Sequence, residues 1–185
     1  MTPPRRHLLV TNDFPPKVGG IQAYLWELWR RLDPRSFVVL TARSDPHAEA
    51  FDLAAAEQGI RIERVPGQLL YFPTPAARSA VTSLASEVDA SLVLLDPVLP
   101  LGLLGPRLGI PYGVVLHGAE VAVPARLPGT RGTVARVLAD ASLVVSAGRY
   151  PRAQASRALG RAPGASPRHV EVPPGVDCVD FHPLD

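Results

Sequence analysis

Short runs of consecutive apolar residues, separated by segments with helical periodicity, constrain the fold of this chain more than any other feature. Each run is three or four residues long: Leu8–Val10, Phe37–Leu40, Leu92–Leu95, Val114–Leu116 and Leu143–Val145. A strand that is apolar on consecutive residues is buried on both faces, which is typical of a parallel sheet covered by helices. The runs therefore predict at least five strands in one such sheet.

The intervals between the runs carry helical spacing. Apolar residues at positions 21, 24, 25, 28, 29 and 32 follow the i, i+3, i+4, i+7 pattern, and the spacing recurs at 81–88 and 134–141. Residues 60–65 alternate apolar and charged side chains, as an edge strand does, and a last short strand is predicted at 169–172. This alternation of strand and helix predicts an α/β fold with a doubly wound, mainly parallel sheet and helices on both faces.

Composition excludes several classes of protein. The 185 residues fit one domain, and the formal net charge of +2 is too small for a dedicated nucleic-acid-binding protein. Cys178 is the single cysteine, so an intrachain disulfide and a cysteine-rich zinc site are excluded. No apolar stretch is long enough to span a bilayer, and the first residues do not form a secretory signal. We expect a reduced, cytoplasmic, globular domain.

Several nucleotide-binding and catalytic motifs are missing from the sequence. It contains no Gly-x-Gly, so the dinucleotide fingerprint is absent after the first strand. Lys17 is followed by Val18 and is not preceded by glycine, so there is no Walker A loop. A Gly-x-Ser-x-Gly elbow and a His-Glu-x-x-His pair are also absent. The common oxidoreductase, nucleotide-triphosphatase, hydrolase and metalloprotease classes therefore lose support.

The segment after the first strand contains two adjacent glycines, Gly19 and Gly20, where the loop meets the first helix. Backbone N–H groups at a helix start have no helical partner and lie at the positive end of the helix dipole. Glycine allows a phosphate or a sugar to approach such a backbone closely. An alternative interpretation is a simple turn into the helix.

A second candidate site follows the predicted strand that ends at Leu116. His117 stands at the carboxyl end of that strand, the edge at which open α/β sheets bind ligands. Its imidazole could donate a hydrogen bond to a sugar hydroxyl or a phosphate, while Glu120 could orient it or cap the next segment. Alternatively, His117 only packs and bonds locally. A zinc pair of His117 and Glu120 lacks a third ligand at suitable spacing.

Four motifs in this order resemble the N-terminal half of the retaining GT-B glycosyltransferases of family four. They are Pro15-Pro16-x-x-Gly19-Gly20, His117-Gly118-x-Glu120, Val145-Ser146 before Arg149-Tyr150, and Pro174-Gly175-Val176-Asp177 with Phe181 and Pro183. The segment from Asn12 to Gln22 is most similar to actinobacterial mannosyltransferases that build phosphatidylinositol mannosides. The resemblance covers almost the whole chain.

The resemblance implies a Rossmann-like, acceptor-side domain at residues 1–172 and the start of an interdomain hinge at 173–185, with the donor-binding C-terminal domain absent. By the family pattern, Gly19, Gly20 and Glu120 would bind the diphosphate or sugar of the donor. His117 would be the catalytic contact to the transferred sugar, and Pro174, Gly175 and Asp177 would belong to the hinge. The implied donor is a nucleotide-sugar, GDP-mannose, used without a metal.

An apolar cluster in the predicted loop 66–75, Leu69 to Phe72, suggests contact with a lipid-linked acceptor. The acceptor or membrane side would comprise two residues of the first loop and four around the cluster: Asp13, Lys17, Arg64, Tyr71, Phe72 and Arg78. In that case apolar side chains touch acyl chains and arginines meet anionic headgroups, so the enzyme would sit peripherally at the inner face of the plasma membrane. The alternative is that the cluster folds back onto the core.

Two further functions stay open at this point. The chain could belong to a family-four transferase that acts on another glycan or on a small molecule. It could also be a non-catalytic Rossmann-like module that binds a ligand at the sheet edge. If the transferase assignment is right, we expect this chain alone to be inactive, because the residues that hold the donor would lie mostly in the missing half.

Overall fold

The computed structural model describes residues 6–43, 45–122, 128–160 and 167–176. The described strands are β1 Arg6–Thr11, β2 Phe37–Arg43, β3 Ile62–Pro66, β4 Ala90–Asp96, β5 Tyr112–Leu116, β6 Leu143–Ser146 and β7 Arg168–Glu171. The helices are α1 Gly20–Trp29, α2 Ala48–Glu57, α3 Pro75–Glu87, α4 Ala119–Ala122, α5 Pro128–Asp140 and α6 Arg149–Leu159. Within the predicted hinge, Asp177 lies outside the described residues, as does most of the predicted loop 160–167.

The seven described strands form one sheet in the order β3-β2-β1-β4-β5-β6-β7, and all neighbours are parallel. The chain moves outward from β1 to β3 and then crosses back to β4 on the other side of β1. A crevice opens at such a reversal, between the carboxyl ends of the two central strands. Thr11 and Asp96 are register partners at those ends. The predicted α/β fold, with its doubly wound parallel sheet, is confirmed.

Alternate residues of each central strand enter two different cores, one on each face of the sheet. On one face, Leu8 and Val10 of β1 pack with residues of α3, α5 and α6. On the other face, Leu9 packs with Leu25 and Trp29 of α1 and with Ala55 of α2. Because both faces are covered, consecutive strand residues must all be apolar, which explains the runs in the sequence.

Three helices, α2, α4 and α6, have no counterpart in the apolar spacing. The buried residues of α2 are alanines, Ala48 and Ala55, and those of α6 include Gln154 and two more alanines. Small or polar contact residues leave no wide apolar stripe for periodicity to detect. The predicted strand at 60–65 starts later, at Ile62, and it is an edge strand as expected.

The predicted loop 66–75 contains one 3₁₀ turn, Leu69–Tyr71, and it divides the apolar cluster. Leu70 is fully buried in the core beneath α3, and Leu69 packs against that core. Phe72, two residues after Leu70, is 60% exposed. Core packing therefore describes Leu69 and Leu70, whereas Phe72 stays on the surface.

Candidate functional site at the carboxyl edge of the sheet

Three side chains meet at the crevice where β1, β4 and β5 end. The hydroxyl of Thr11 donates a hydrogen bond to Oδ2 of Asp96 over 2.8 Å, and Nε2 of His117 lies 2.9 Å from Oδ1 of the same carboxylate. Thr11 and Asp96 are buried, while the His117 side chain keeps 10% of its surface exposed. The cluster thus presents one partly accessible imidazole, and the buried carboxylate of Asp96 is in hydrogen-bonding distance of its Nε2 atom.

The protonation of this pair is set by burial and by neighbouring carboxylates. Burial raises the pKa of Asp96, and the hydrogen bonds from His117 and Thr11 offset part of that increase. Burial alone would lower the pKa of His117. The hydrogen bond to Asp96 and the negative charges of Asp96, Glu120 and Asp13 outweigh this effect of burial, so the pKa of His117 is raised. The carboxylate of Asp96 and the neighbouring carboxylates therefore favour the cationic form of the imidazole.

Glu120 shapes the loop that carries His117. Its carboxylate accepts the backbone N–H groups of His117 and Gly118, the latter at 2.9 Å to each oxygen. Gly118 has φ +148°, a conformation that L side chains rarely adopt, and a Cβ there would lie 3.6 Å from the ring of Tyr150. Glu120 therefore caps the start of α4, so its two oxygens are occupied by the protein's own backbone.

The two glycines before α1 differ in their surroundings. A Cβ on Gly19 would lie 2.3 Å from Oε1 of Gln22, whose amide group bonds the carboxylate of Asp13 over 2.8 Å. A Cβ on Gly20 would meet nothing within 4 Å. A side chain on Gly19 would thus displace the amide group of Gln22, while Gly20 leaves open space at the N-terminus of α1, where backbone N–H groups are available to an anion.

Tyr24 connects α1 to His117 and to the end of the last strand. Its ring packs edge-on against the imidazole, with ring centroids 5.4 Å apart and an interplanar angle of 87°. Its hydroxyl donates to the carbonyl of Val172 over 2.8 Å, and burial raises its pKa to about 12. The predicted hinge residues Pro174 and Gly175 follow directly as exposed chain without regular secondary structure.

The residues predicted for the acceptor or membrane side fall into two groups. Lys17 pairs with Asp13 and lies near Tyr71, and Phe72 and Arg78 are exposed. The side chain of Arg64 is only 4% exposed, because it forms a two-pronged pair with Asp52 at 2.7 and 2.8 Å and donates to the carbonyl of Pro15. Arg64 therefore anchors the loop after β1 and does not face a headgroup.

Sequence reasoning missed Asp96, the residue that joins this site together. It follows a run of apolar residues, so the sequence pattern indicates only that the buried strand ends there. Its position after β4 was nevertheless a usable signal, since a carboxylate at the end of a central parallel strand lies at the ligand-binding edge.

In the part of the chain that the structure describes, no three His, Cys, Asp or Glu side chains are grouped so as to hold a metal ion. Of the helices described, none combines the length and the apolar character that crossing a membrane requires.

Comparison with known proteins finds relatives over almost the entire chain. A GDP-mannose-dependent alpha-(1-6)-phosphatidylinositol monomannoside mannosyltransferase of Mycolicibacterium smegmatis is 38% identical over 180 residues, 95% of this chain and 46% of that protein. A monoacylated-substrate counterpart from Corynebacterium glutamicum is 30% identical over 99% of this chain and 47% of its own length. The resemblance inferred from the motifs is thus confirmed. The chain spans about half the length of the curated relatives it matches, and no family model matches it.

Solved structures agree on the fold. HepE from Anabaena, in complex with UDP and glucose, aligns with a TM-score of 0.62 at 18% identity, over 95% of this chain and 46% of that one. UGT2 from Phytolacca americana, complexed with UDP-2fluoro-glucose and pterostilbene, aligns with a TM-score of 0.58 at 14% identity, over 97% of this chain and 57% of that one. The Rossmann-like fold predicted for this chain accounts for about half of each of these longer chains.

Proposed function

We propose that this chain is the N-terminal, acceptor-side half of a retaining GT-B glycosyltransferase of family four. The complete protein would transfer mannose from GDP-mannose to a phosphatidylinositol mannoside. The observation that carries the proposal is the 38% identity over 95% of the chain to a mannosyltransferase with that donor and acceptor. The polar cluster at the reversal of the sheet supports it, because ligands of such sheets bind there.

In this proposal the domain ends near residue 172 and the hinge begins at 173. The end of β7 at Glu171 and the hydrogen bond from Tyr24 to the carbonyl of Val172 support that boundary. The donor-binding half would follow the hinge and close over the crevice, so that both substrates meet above His117.

Two of the predicted site residues, His117 and Gly20, receive roles that their surroundings allow. The imidazole of His117 would hydrogen-bond the transferred sugar, and the open backbone at Gly20 would face the donor diphosphate. Negative charge builds on that diphosphate as the sugar leaves, and fixed N–H donors stabilise it without reorganising. The leaving phosphate would take the proton of the acceptor hydroxyl, since two carboxylates at the crevice are already engaged, Asp96 by Thr11 and His117 and Glu120 by backbone N–H groups.

The acceptor would approach along the surface formed by Lys17, Tyr71, Phe72 and Arg78. Phe72 is an exposed aromatic side chain, and the cations of Lys17 and Arg78 suit an anionic lipid surface. The enzyme would then work at the cytoplasmic face of the plasma membrane as a peripheral protein.

The test uses the longest natural reading frame that contains this chain. Purified protein is incubated with GDP-mannose and vesicles that contain phosphatidylinositol monomannoside, and the product's anomeric configuration is determined by NMR. We expect an α-linked mannose with retention, and we expect none from the 185-residue chain alone. Transfer only from another nucleotide-sugar, or only to a water-soluble acceptor, would replace the proposed substrates. Transfer by the 185-residue chain alone would refute the proposal that a second, donor-binding half is needed for activity.

A further inference from the structure

We propose that Asp96 is a positioning residue, which fixes the orientation and tautomer of the His117 imidazole through a chain of hydrogen bonds that starts in the loop after β1. The proposal rests on the proposed function only for the identity of the ligand that His117 meets. The positioning itself follows from the contacts among Asp13, Thr11, Asp96 and His117.

The direction of the first hydrogen bonds is fixed by the chemistry of a hydroxyl. The backbone N–H of Asp13 donates to Oγ1 of Thr11 over 2.9 Å. The single hydrogen of that hydroxyl is directed to Oδ2 of Asp96 at 2.8 Å. Oδ2 is therefore an acceptor, and the carboxylate cannot turn without breaking this bond.

The second oxygen of Asp96 then determines which nitrogen of His117 carries a proton. Oδ1 lies 2.9 Å from Nε2, so the ionised carboxylate holds a hydrogen on Nε2. Among the described residues, the other ring nitrogen, Nδ1, has no hydrogen-bond partner. The edge-on ring of Tyr24 packs against the imidazole and restricts its rotation. Nδ1 is thereby the nitrogen left to meet a ligand.

The charges around His117 decide whether Nδ1 donates or accepts. The groups that face it are Asp13 from the loop after β1, Tyr24 from α1, Asp96 from β4 and Glu120 from α4. Three of them are carboxylates, and the raised pKa of Tyr24 keeps its phenol neutral. The cationic imidazole is favoured, and its Nδ1–H can then donate to an oxygen that gains negative charge in the reaction.

The first measurement needs no substitution. Long-range ¹H–¹⁵N correlation spectra of the 185-residue chain, recorded across a pH titration, report the protonation of each imidazole nitrogen. The chain has five histidines, and His117→Gln identifies the signal of His117. We expect the neutral form of His117 to carry its hydrogen on Nε2. A neutral form with the hydrogen on Nδ1 would overturn the proposal.

The second measurement removes the charge at position 96. Asp96→Asn keeps the shape but offers one oxygen to two donors, Thr11 and His117, so one of the two bonds must fail. We expect the pKa of His117 to fall relative to the wild-type chain. An unchanged titration in a folded Asp96→Asn chain would overturn the proposal.

Two threonines provide a matched pair of variants. Thr11 and Thr41 are register partners on β1 and β2, and both are buried. Only Thr11 bonds Asp96, because Oγ1 of Thr41 has no hydrogen-bond partner among the described residues. Thr11→Val should shift the titration of His117, whereas Thr41→Val should leave it unchanged. If Asp96→Asn does not fold, this pair decides: equal titrations in the two valine variants would refute the proposal.

Activity separates this proposal from the proposed function. In the complete protein, Asp96→Asn should lower kcat by at least roughly tenfold, the lower end of the range for loss of the outer hydrogen-bond partner of a metal-bound histidine, with the acceptor KM little changed. If no sugar transfer is found but the titrations behave as expected, the proposed function fails and the positioning role stands. An unchanged kcat beside a shifted titration would show that the orientation of His117 does not serve the reaction.

Discussion

The side-chain oxygen of Gln22 lies only 2.3 Å from the point where a Cβ of Gly19 would stand. Gln22 is buried, and its amide nitrogen reaches back to the carboxylate of Asp13. The first glycine of the pair is therefore explained by packing inside the loop, without any ligand. Only the second glycine, Gly20, has the free space that a bound diphosphate would need.

Gly19→Ala should destabilise the chain by about 1 kcal/mol, the usual contribution of one hydrogen bond, because the new methyl displaces Gln22 from Asp13. Urea denaturation followed by circular dichroism measures the change. Gly20→Ala is the matched control, and it should leave the free energy of unfolding unchanged or slightly higher, since alanine is the better helix former. Equal losses in the two variants would contradict the explanation.

Gly20→Val should block use of the donor while the fold survives. The branched side chain would extend into the open space at the start of α1, where an added Cβ has no neighbour within 4 Å. Steady-state kinetics of the complete protein with GDP-mannose should show a collapse of kcat/KM for the donor. Unchanged kinetics would leave Gly20 as a plain turn residue.

His117→Ala should reduce kcat of the complete protein by about a hundredfold, the scale of losing one hydrogen-bond donor to the transition state. The variant should also be less stable, because the imidazole contacts the buried carboxylate of Asp96. Loss of the imidazole should cost about 1–3 kcal/mol of folding free energy at neutral pH. His117→Ala with full activity would make His117 a packing residue.

Phe72→Ser should weaken binding to anionic vesicles by about tenfold while the melting temperature stays nearly constant, because the side chain is 60% exposed. Sedimentation with phosphatidylinositol-containing vesicles at low and high salt measures the binding. Leu53→Ser, at a position 64% exposed on α2, is the matched control and should bind as the wild type does. Leu70→Ser should instead unfold the chain readily, with a loss of about 3 kcal/mol or more. Equal binding by Phe72→Ser and wild type would remove Phe72 from the membrane surface.

His7 should make the chain less stable as the pH falls from 6.5 to about 4. Burial lowers its pKa to about 4, partly offset by a backbone hydrogen bond with Ser36, so in this range the unfolded chain binds a proton that the folded chain does not. The full loss is about 3 kcal/mol. His7→Gln keeps an acceptor for the indole N–H of Trp29, which now donates to Nε2 over 2.9 Å, and should remove this part of the pH dependence. Parallel stability curves for the two proteins would contradict the assignment.

How much the sequence predicts depends on whether a residue's neighbours are local. The strand from Leu92 to Leu95 is evident because burial on both faces requires apolar residues throughout. The role of Asp96 is not evident, because its partners Thr11 and His117 lie 85 and 21 positions away. The pairing of β4 with β1 on one side and with β5 on the other brings the three residues together.

In the loop after β3, the sequence likewise does not show which side chains are buried. Leu70 and Phe72 look alike as apolar residues between prolines, and only the 3₁₀ turn at Leu69–Tyr71 separates a core side chain from an exposed one. Likewise, Arg64 reads as a free surface cation until Asp52 of α2 is placed beside it.

The position of the aromatic side chains on α1 gives the protein a built-in optical reporter. Both tryptophans of the chain, Trp26 and Trp29, belong to this one helix. Trp26 packs against Phe14 and Phe51 beside the loop after β1, and the indole of Trp29 bonds His7. Intrinsic fluorescence will therefore report on α1 and the loop after β1, and it will register β5, β6 and β7 only through their packing against that helix. A second probe on those strands is needed before a single fluorescence transition can be read as the unfolding of the whole domain.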